Sequence, residues 1–351
     1  MGKNQQTETI VSNRCGNQSV KLPRPAYIHS SSSVVGKKEG EGRLKDYFDM
    51  ISEDDYFGMD SWEDAESTLQ KEAVTLALGK GKIQQENIDY ILSGDLLGQS
   101  IASSFGLKNF ESPLFGLYGA CSTCGESLSL GSMLIAAGYA NTLVCVTSSH
   151  FASAEKEFRY PLAYGNQRPK SATWTVTGSG AFVLSDTPWE NDRAIITGVT
   201  TGIITDYGVK DSMNMGACMA PAAASTIYAH FQDFKTRPDE YDRIITGDLG
   251  SVGQTILFEL LKEKGYDISP NHMDCGIEIF DADTQGTESG GSGCGCAATV
   301  LSAFILHKIE TGEWKKVLFV PTGALLSKTS FNEGKSVPGI AHAVVIEHIM
   351  A

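Results

Sequence analysis

The chain has 351 residues, of which 41% are apolar and 20% are charged. This balance is typical of a globular protein with two domains or one duplicated unit, and it excludes a disordered chain, a coiled coil and a collagen-like repeat. The 28 basic and 42 acidic residues give a formal net charge of -14, with no basic cluster. A surface of this charge repels phosphate groups, so we expect no nucleic-acid partner.

The apolar stretches are short, and the first residues carry no targeting signal. None reaches the roughly 18 residues that a membrane-spanning helix needs. No apolar core follows Met1 as it would in a secretory signal. We therefore expect a cytoplasmic protein whose 8 cysteines are reduced thiols. Any role for a cysteine is then chemistry, metal binding or packing.

In chain order, the first segment is residues 1–60, which are rich in Gly, Ser and acidic side chains. This composition predicts an N-terminal arm of loops. Apolar residues at helical spacing then predict a helix over residues 62–78, with Ser61 as its N-cap. The apolar run over residues 88–97 predicts a strand that ends in a tight turn.

An internal repeat follows from two similar segments. Residues 90–99 read Tyr-Ile-Leu-Ser-Gly-Asp-Leu-Leu-Gly-Gln, and residues 243–254 repeat this pattern with Asp248 in the place of Asp95. Each copy leads to a turn of Gly, Ser and Cys, then a helix of small residues and a strand. A repeated order of elements predicts a duplicated α/β chain with sheets covered by helices. We divide the chain into an arm of residues 1–60, an N-terminal half of residues 61–195 and a C-terminal half of residues 196–351.

Cys121 lies in the first of these turns, between Gly119, Ala120 and Ser122. A helix N-terminus presents unpaired N–H groups, which favour a thiolate or an anion, and the small neighbours leave room for a ligand. The sequence therefore predicts either a nucleophilic or ligand-contacting cysteine, or a buried thiol that fills space.

A zinc site is a weaker interpretation of the cysteines. Cys121 with Cys124, and Cys294 with Cys296, have spacings that occur among zinc ligands. We disfavour this interpretation because both pairs lie in segments typical of buried helix starts, with no suitably spaced His. A thioredoxin-type redox role is disfavoured by the surrounding pattern.

Several longer strings occur in the order found in one known family. They are residues 119–122, 147–150, 158–161, 164–165, 175–181, 219–224, 290–294 and 322–327. These strings resemble the stage V sporulation protein AD family of the thiolase-like superfamily, from about residue 22 to the end of the chain. The resemblance implies a five-layered αβαβα sandwich of two duplicated halves, with Cys121 at the position of the superfamily's nucleophile.

The resemblance also implies a function and partners. That family binds dipicolinic acid, which is pyridine-2,6-dicarboxylate, for its uptake into the developing spore. The expected partners are this ligand and the other membrane proteins of the SpoVA complex, and the expected state is a homodimer peripheral to the spore inner membrane. We expect no cofactor except calcium bound together with dipicolinate.

The superfamily's condensing enzymes need more than the cysteine. They use a His in the second half and a His or Asn in the next Gly-rich turn to stabilise oxyanions. Those positions fall within residues 246–249 and 290–294, which contain neither His nor Asn. We therefore expect a binding protein in which Cys121 is a vestigial nucleophile. The alternatives are an acyltransferase or thioesterase that uses Cys121, and a scaffold whose pocket has no ligand.

Six residues are candidates for ligand binding: Cys121, Asp95, His150, Asp248, Arg159 and Ser292. Asp95 and Asp248 are also the candidates for contact with calcium. Each aspartate has the alternative role of a turn residue that accepts backbone N–H bonds. The alternative for His150 is packing, and the alternative for Arg159 is an ion pair with a nearby glutamate.

Overall fold

The computed structural model describes residues 13–158, 168–190 and 192–349. The N-terminal half and the segment before it contain β1 (Arg14–Cys15), β2 (Ser19–Val35), α1 (Lys37–Gly40), β3 (Met50–Ile51), α2 (Trp62–Gly81), β4 (Tyr90–Gly94), α3 (Ile101–Leu107), β5 (Leu114–Gly116), α4 (Thr123–Ala137), β6 (Thr142–Ser149), α5 (Phe151–Phe158), β7 (Trp174–Thr175) and β8 (Gly178–Ser185). The next strand, β9 (Ala194–Thr200), crosses the expected boundary at residue 195 and belongs to the second set of strands.

The remaining elements form the C-terminal half. They are α6 (Met215–Phe234), β10 (Arg243–Thr246), α7 (Gly250–Glu263), β11 (His272–Asp274), α8 (Cys275–Ile279), α9 (Ala282–Gln285), β12 (Gly291–Ser292), α10 (Cys294–Val300), α11 (Leu306–Glu310), β13 (Lys316–Val320), β14 (Thr322–Ala324), α12 (Lys328–Asn332), β15 (Gly339–Ala341) and β16 (Ala343–His348). A π-helical turn, Leu301–Ile305, connects α10 to α11. Short 3₁₀ turns lie at Gln85–Asn87, Gly98–Ser100, Lys108–Phe110 and Pro238–Glu240.

The strand order repeats, as the duplicated sequence predicts. One set of strands runs β5-β4-β6-β8-β2, and the other runs β11-β10-β13-β16-β9. In each set three strands are parallel, and the fourth and fifth are each antiparallel to the strand before. The helix before the third strand is α4 in the first set and α10 with α11 in the second.

The long strand β2 joins the two sets, which contradicts the loops expected for residues 1–60. Its beginning pairs with β9 and its end pairs with β8, so the sheets form one continuous ladder. The serine-rich composition misled the prediction because hydroxyl groups within β2 are satisfied by a neighbouring helix. Ser30 donates to the carbonyl of Ala77 and Ser32 to that of Ala73, both in α2. Polar residues can occupy a core strand when each hydroxyl has an acceptor.

The helices form three layers around the two sheets. The pair α2 and α3 covers one outer face, and the pair α6 and α7 covers the other, while α4 and α10 lie between the sheets. The predicted start of α2 is confirmed, because the Ser61 hydroxyl accepts the N–H of Asp64 at 3.1 Å. Leu128 of α4 is buried in one core cluster with Phe182 of β8 and Phe319 of β13. The architecture is thus the five-layered thiolase-like sandwich.

No helix within residues 13–158, 168–190 and 192–349 combines the length and the apolar character that crossing a bilayer requires.

Candidate functional site

Cys121 lies in a tight turn between β5 and the central helix α4. The residue before it, Ala120, has a left-handed φ of 50°. The Ser122 hydroxyl donates to the carbonyl of Gly119 at 2.7 Å, and the Thr123 hydroxyl donates to that of Ala120 at 2.6 Å. These bonds hold the turn in a conformation that is uncommon for residues other than glycine. Cys121 is partly exposed.

The C-terminal half packs directly on this turn through Gly323 of β14. A Cβ atom at Gly323 would lie 2.1 Å from the carbonyl oxygen of Gly119 and 3.2 Å from the backbone nitrogen of Cys121. Only glycine allows this approach, because the neighbouring atoms belong to the backbone. The two halves therefore define the position of Cys121 together.

The Gly-rich turn before α10 forms the next wall. Gly293 has a φ of 110°, and the hydroxyls of Ser292 and Thr173 share a hydrogen bond of 2.8 Å. The Cys294 thiol donates to the carbonyl of Ser148 at 2.8 Å. Burial raises the pKa of Cys294 well above its ordinary value. Cys294 is thus a packed, protonated thiol, as expected for a cysteine away from solvent.

These walls enclose a cavity of about 30 Å³, which is room for about one water molecule. It is lined by Leu96, Ala120, Cys121, Phe158, Thr175, Met215, Ser292, Ala324 and Leu326. The structure therefore brings two of the predicted residues, Cys121 and Ser292, to one cavity. In the ranges that the structure describes, no lining side chain carries a charge.

Asp95 directly precedes the cavity residue Leu96 in the chain but does not itself line the cavity. Its Oδ1 accepts the N–H of Leu97 at 2.9 Å, and its Oδ2 accepts both the N–H and the hydroxyl of Ser103 at 2.9 and 2.6 Å. Burial raises its pKa. Asp95 thus has the turn role that the sequence left open, and it fixes the backbone on either side of Leu96.

Asp248, the equivalent residue of the second repeat, is fully buried behind the cavity wall. Its Oδ2 accepts the N–H of Thr322 at 3.3 Å, and its Oδ1 has no hydrogen-bond partner among the described residues. Burial, with repulsion from Asp274, raises its pKa well above the ordinary value. Asp274 itself holds the loop after β10 by accepting the N–H groups of Leu249 and Gly250.

Neither aspartate stands in a preformed metal site. Over the described parts of the chain, no group of three or more His, Cys, Asp and Glu side chains is arranged to hold a metal ion. The four cysteines whose spacings occur among zinc ligands, Cys121, Cys124, Cys294 and Cys296, therefore do not form a zinc site in the described structure. Contact of Asp95 or Asp248 with calcium carried by a ligand stays a prediction.

The two predicted basic candidates have different outcomes. His150 is buried, its Nδ1 accepts the N–H of Ala152 at 3.2 Å, and its Nε2 bonds the carbonyl of Asp55 at 2.8 Å. Burial lowers its pKa, so His150 is a neutral side chain engaged with the backbone. Arg159 lies outside the described residues.

Sequence reasoning missed Arg168, which lies one layer behind the cavity. Its guanidinium pairs with Glu155 at 3.4 Å, and both side chains are almost completely buried. The guanidinium lies 5.2 Å from the ring centre of Trp174, which stacks on Phe151. The hydroxyl of Thr175, a cavity residue, donates to Glu155 at 3.5 Å. No local motif signals this arrangement, because the contacts join residues from three separate segments.

A buried polar network lies on the other side of the Cys294 turn. Gln70 donates to the hydroxyl of Ser148 at 2.8 Å and to that of Ser103 at 3.1 Å, and it accepts the hydroxyl of Ser93 at 3.0 Å. Ser148 in turn donates to Glu66 at 2.9 Å. Burial raises the pKa of Glu66 above neutrality, to about 8. The network connects α2 to the strands that carry the site.

Comparison with known proteins identifies the family of this chain. Residues 16–347 match the family model described as Stage V sporulation protein AD. The chain belongs to the stage V sporulation protein AD family. It is 42% identical over 332 residues to the Stage V sporulation protein AD of Bacillus subtilis (strain 168), covering 95% of this chain and 97% of that one.

Solved structures show the same fold at low sequence identity. One is 3-oxoacyl-[acyl-carrier-protein] synthase III from Aquifex aeolicus VF5, with a TM-score of 0.55, 14% identity and coverage of 92% of this chain and 99% of that chain. Another is human mitochondrial 3-ketoacyl-CoA thiolase in complex with CoA, with a TM-score of 0.55, 13% identity and coverage of 94% and 99%. These likenesses establish the thiolase-like fold of this family member.

Proposed function

We propose that this protein binds dipicolinic acid, free or as its calcium chelate, for uptake into the developing spore. The observation that carries the proposal is a thiolase-type cysteine turn without the partners of a condensing enzyme. The position where such enzymes need a His falls within residues 246–249, which contain no His; Asp248 in this segment is buried and bonded to the backbone of Thr322. The described wall around Cys121 contains only two hydroxyl groups, those of Thr175 and Ser292, beside the thiol.

The surroundings of Cys121 suit a small, flat anion. The turn opens α4, a helix of 15 residues whose N-terminal end favours negative charge. The wall is otherwise apolar, which favours contact with an aromatic ring. Behind Thr175 the buried ion pair of Arg168 and Glu155 carries no net charge, so the attraction for a carboxylate rests on the N-terminal end of α4.

The remaining parts of the proposal concern assembly. The protein acts as the peripheral component of a SpoVA-type complex at the spore inner membrane, and its membrane partners provide the path for the ligand.

The protein forms a homodimer through β5, the edge strand whose residues Leu114, Phe115 and Gly116 are all exposed. An exposed apolar edge strand is a template for pairing with a second copy. Light scattering of the wild-type protein and of the Phe115→Arg variant tests the homodimer. A monomeric wild-type protein would contradict it.

Isothermal titration of the full chain with dipicolinic acid tests the binding function. We expect saturable binding that is selective for the 2,6-isomer over pyridine-3,5-dicarboxylate, measured with and without calcium. Cys121→Ala should weaken binding, whereas the matched variant Cys15→Ala, at a partly exposed cysteine of β1, should not. Absence of binding under all these conditions would refute the proposal.

The alternative function is acyl transfer from a thioester through Cys121. Incubation with a short-chain acyl thioester, followed by mass spectrometry of the peptide that contains Cys121, distinguishes it. The binding proposal expects no acylated peptide. An acyl group on Cys121, whether it stays attached or is released in turnover, would favour the acyl-transfer function.

A further inference from the structure

A second, larger cavity adjoins the one that contains Cys121. Its volume is about 260 Å³, and it opens toward the surface. Its described lining consists of Leu96, Leu97, Gly98, Gln99, Tyr118, and five residues of α5, the β14–α12 connection and the start of α12, which are Glu157, Phe158, Leu326, Ser327 and Lys328. The inner cavity of about 30 Å³ therefore adjoins an outer cavity that is large enough for a small ligand.

Among the described residues, three apolar side chains belong to the walls of both cavities. They are Leu96, Phe158 and Leu326. Leu96 and Leu326 are 4% and 6% exposed, and Phe158 packs against a small cluster that contains Leu96, Ala120 and Cys294. The barrier between the cavities is thus made of side chains, which rotate more easily than backbone moves. It contains no described salt bridge that would have to break.

The backbone beside this barrier is held in an uncommon conformation. Gln99 and Ser100 are consecutive residues with left-handed φ angles of 60° and 52°. Such strain persists where the surroundings impose it, and it concentrates at ligand sites and switch regions. Here Asp95 imposes it in part, because its carboxylate anchors Leu97 and Ser103 on the two sides of the strained pair.

We propose that Leu96, Phe158 and Leu326 form a gate that a ligand displaces on its way from the outer cavity to Cys121. The inner cavity has room for about one water molecule, so any organic ligand that reaches the thiol must enlarge it. Lys328 gives the entrance a positive charge, although Glu157 lies in the same wall. The identity of the ligand as a flat dianion rests on the proposed function, whereas the gate itself does not.

The gate is tested by the rate at which N-ethylmaleimide modifies Cys121 in the full chain, followed by mass spectrometry of each cysteine peptide. Phe158→Ala should accelerate modification roughly tenfold, because removing the ring raises the population of the open state. The matched control is Phe331→Ala, an exposed ring of α12 that lines neither cavity. Equal rates in wild type and Phe158→Ala would overturn the gate.

Cys294 separates local opening from unfolding in the same experiment. It is fully buried beside the gate, so its modification must stay slow if only the gate has opened. If Phe158→Ala also exposes Cys294, Leu326→Ala provides the second test with the same readout. If N-ethylmaleimide modifies Cys121 at the same rate in Leu326→Ala as in the wild type, the proposal is also overturned.

Dipicolinate separates the gate from the proposed function. If both hold, saturating dipicolinate protects Cys121, and Phe158→Ala increases the association rate of the ligand measured by stopped flow. If Cys121 becomes more reactive in Phe158→Ala but dipicolinate neither binds nor protects, the gate stands and the ligand assignment fails. If dipicolinate binds equally fast to both proteins, the gate fails and the function stands.

Discussion

Replacing Glu39 by Gln should change how the stability of this protein depends on pH. Glu39 lies in α1 and is fully buried. Its Oε1 accepts the N–H of Thr177 at 3.0 Å, whereas its Oε2 has no hydrogen-bond partner among the residues described. Burial disfavours the charged form and raises the pKa of Glu39 from 4.5 to about 7. Gln keeps an acceptor for Thr177 and removes the ionisation.

The sign and size of the effect follow from proton linkage. The folded state binds the Glu39 proton more tightly than the unfolded state, so protonation of Glu39 stabilises the folded protein. This contribution to the free energy of unfolding is complete below pH 4.5 and is lost as the pH rises through about 7. Each pKa unit corresponds to about 1.4 kcal/mol, which gives about 3 kcal/mol over the whole range and about 2 kcal/mol above about pH 5.5. The Glu39→Gln variant lacks this loss, although its extra amide donor costs about 1 kcal/mol at every pH if it finds no acceptor.

The assay is urea unfolding of wild type and Glu39→Gln at several pH values between about 5.5 and 8.5. The free energy of unfolding of the variant should rise relative to wild type by about 2 kcal/mol across this range. Other buried acids titrate equally in both proteins and cancel in the difference. The matched control is Glu41→Gln, an exposed residue beyond the same helix, which should show no such trend. A stability difference that stays constant with pH would refute the reasoning.

Three further predictions concern the packing around the site. Gly323→Ala should lower the free energy of unfolding by about 1–3 kcal/mol, because its Cβ would overlap the carbonyl of Gly119; a melting temperature equal to wild type would contradict this. Arg168→Gln should lower the free energy of unfolding by about 3–5 kcal/mol, because it removes the buried cation that pairs with Glu155. Arg168→Met combined with Glu155→Leu should recover most of this stability. Urea unfolding that shows no recovery would count against an ion-pair effect. Gln70→Leu should lower the free energy of unfolding by about 1–3 kcal/mol, because the buried Ser93 hydroxyl loses its acceptor, and a thermal scan with no loss would show that the network rearranges.

The repeated architecture could be predicted well from the sequence. The two segments around Asp95 and Asp248 predicted a duplication, and the strand order of the two sets confirms it. The Ser61 cap was predictable because a capping bond joins residues three positions apart. Both signals are local or repeated, so they are visible without knowledge of the tertiary contacts.

The arm of loops predicted for residues 1–60 was wrong over β2, because composition does not reveal how hydroxyl groups within a strand are satisfied. Ser30 and Ser32 read as loop residues, yet they lie in β2 and donate to carbonyls of α2, more than forty positions away in the chain. A prediction from sequence has no access to these acceptors. The same limit applies to Arg168 and Glu155, whose ion pair depends on how α5 meets the segment before β7.

The sequence by itself determined the α/β class, the duplicated order of elements and the place of Cys121 in a turn that opens a helix. These features depend on periodicity, turn residues and the repeat, which act over short distances along the chain. Only the tertiary structure decided which candidates meet. Cys121 and Ser292 share one cavity, whereas Asp95, Asp248 and His150 are buried and bonded to backbone groups. The reason is physical: a buried polar side chain must find a partner, and which partner it finds depends on the packing of distant segments.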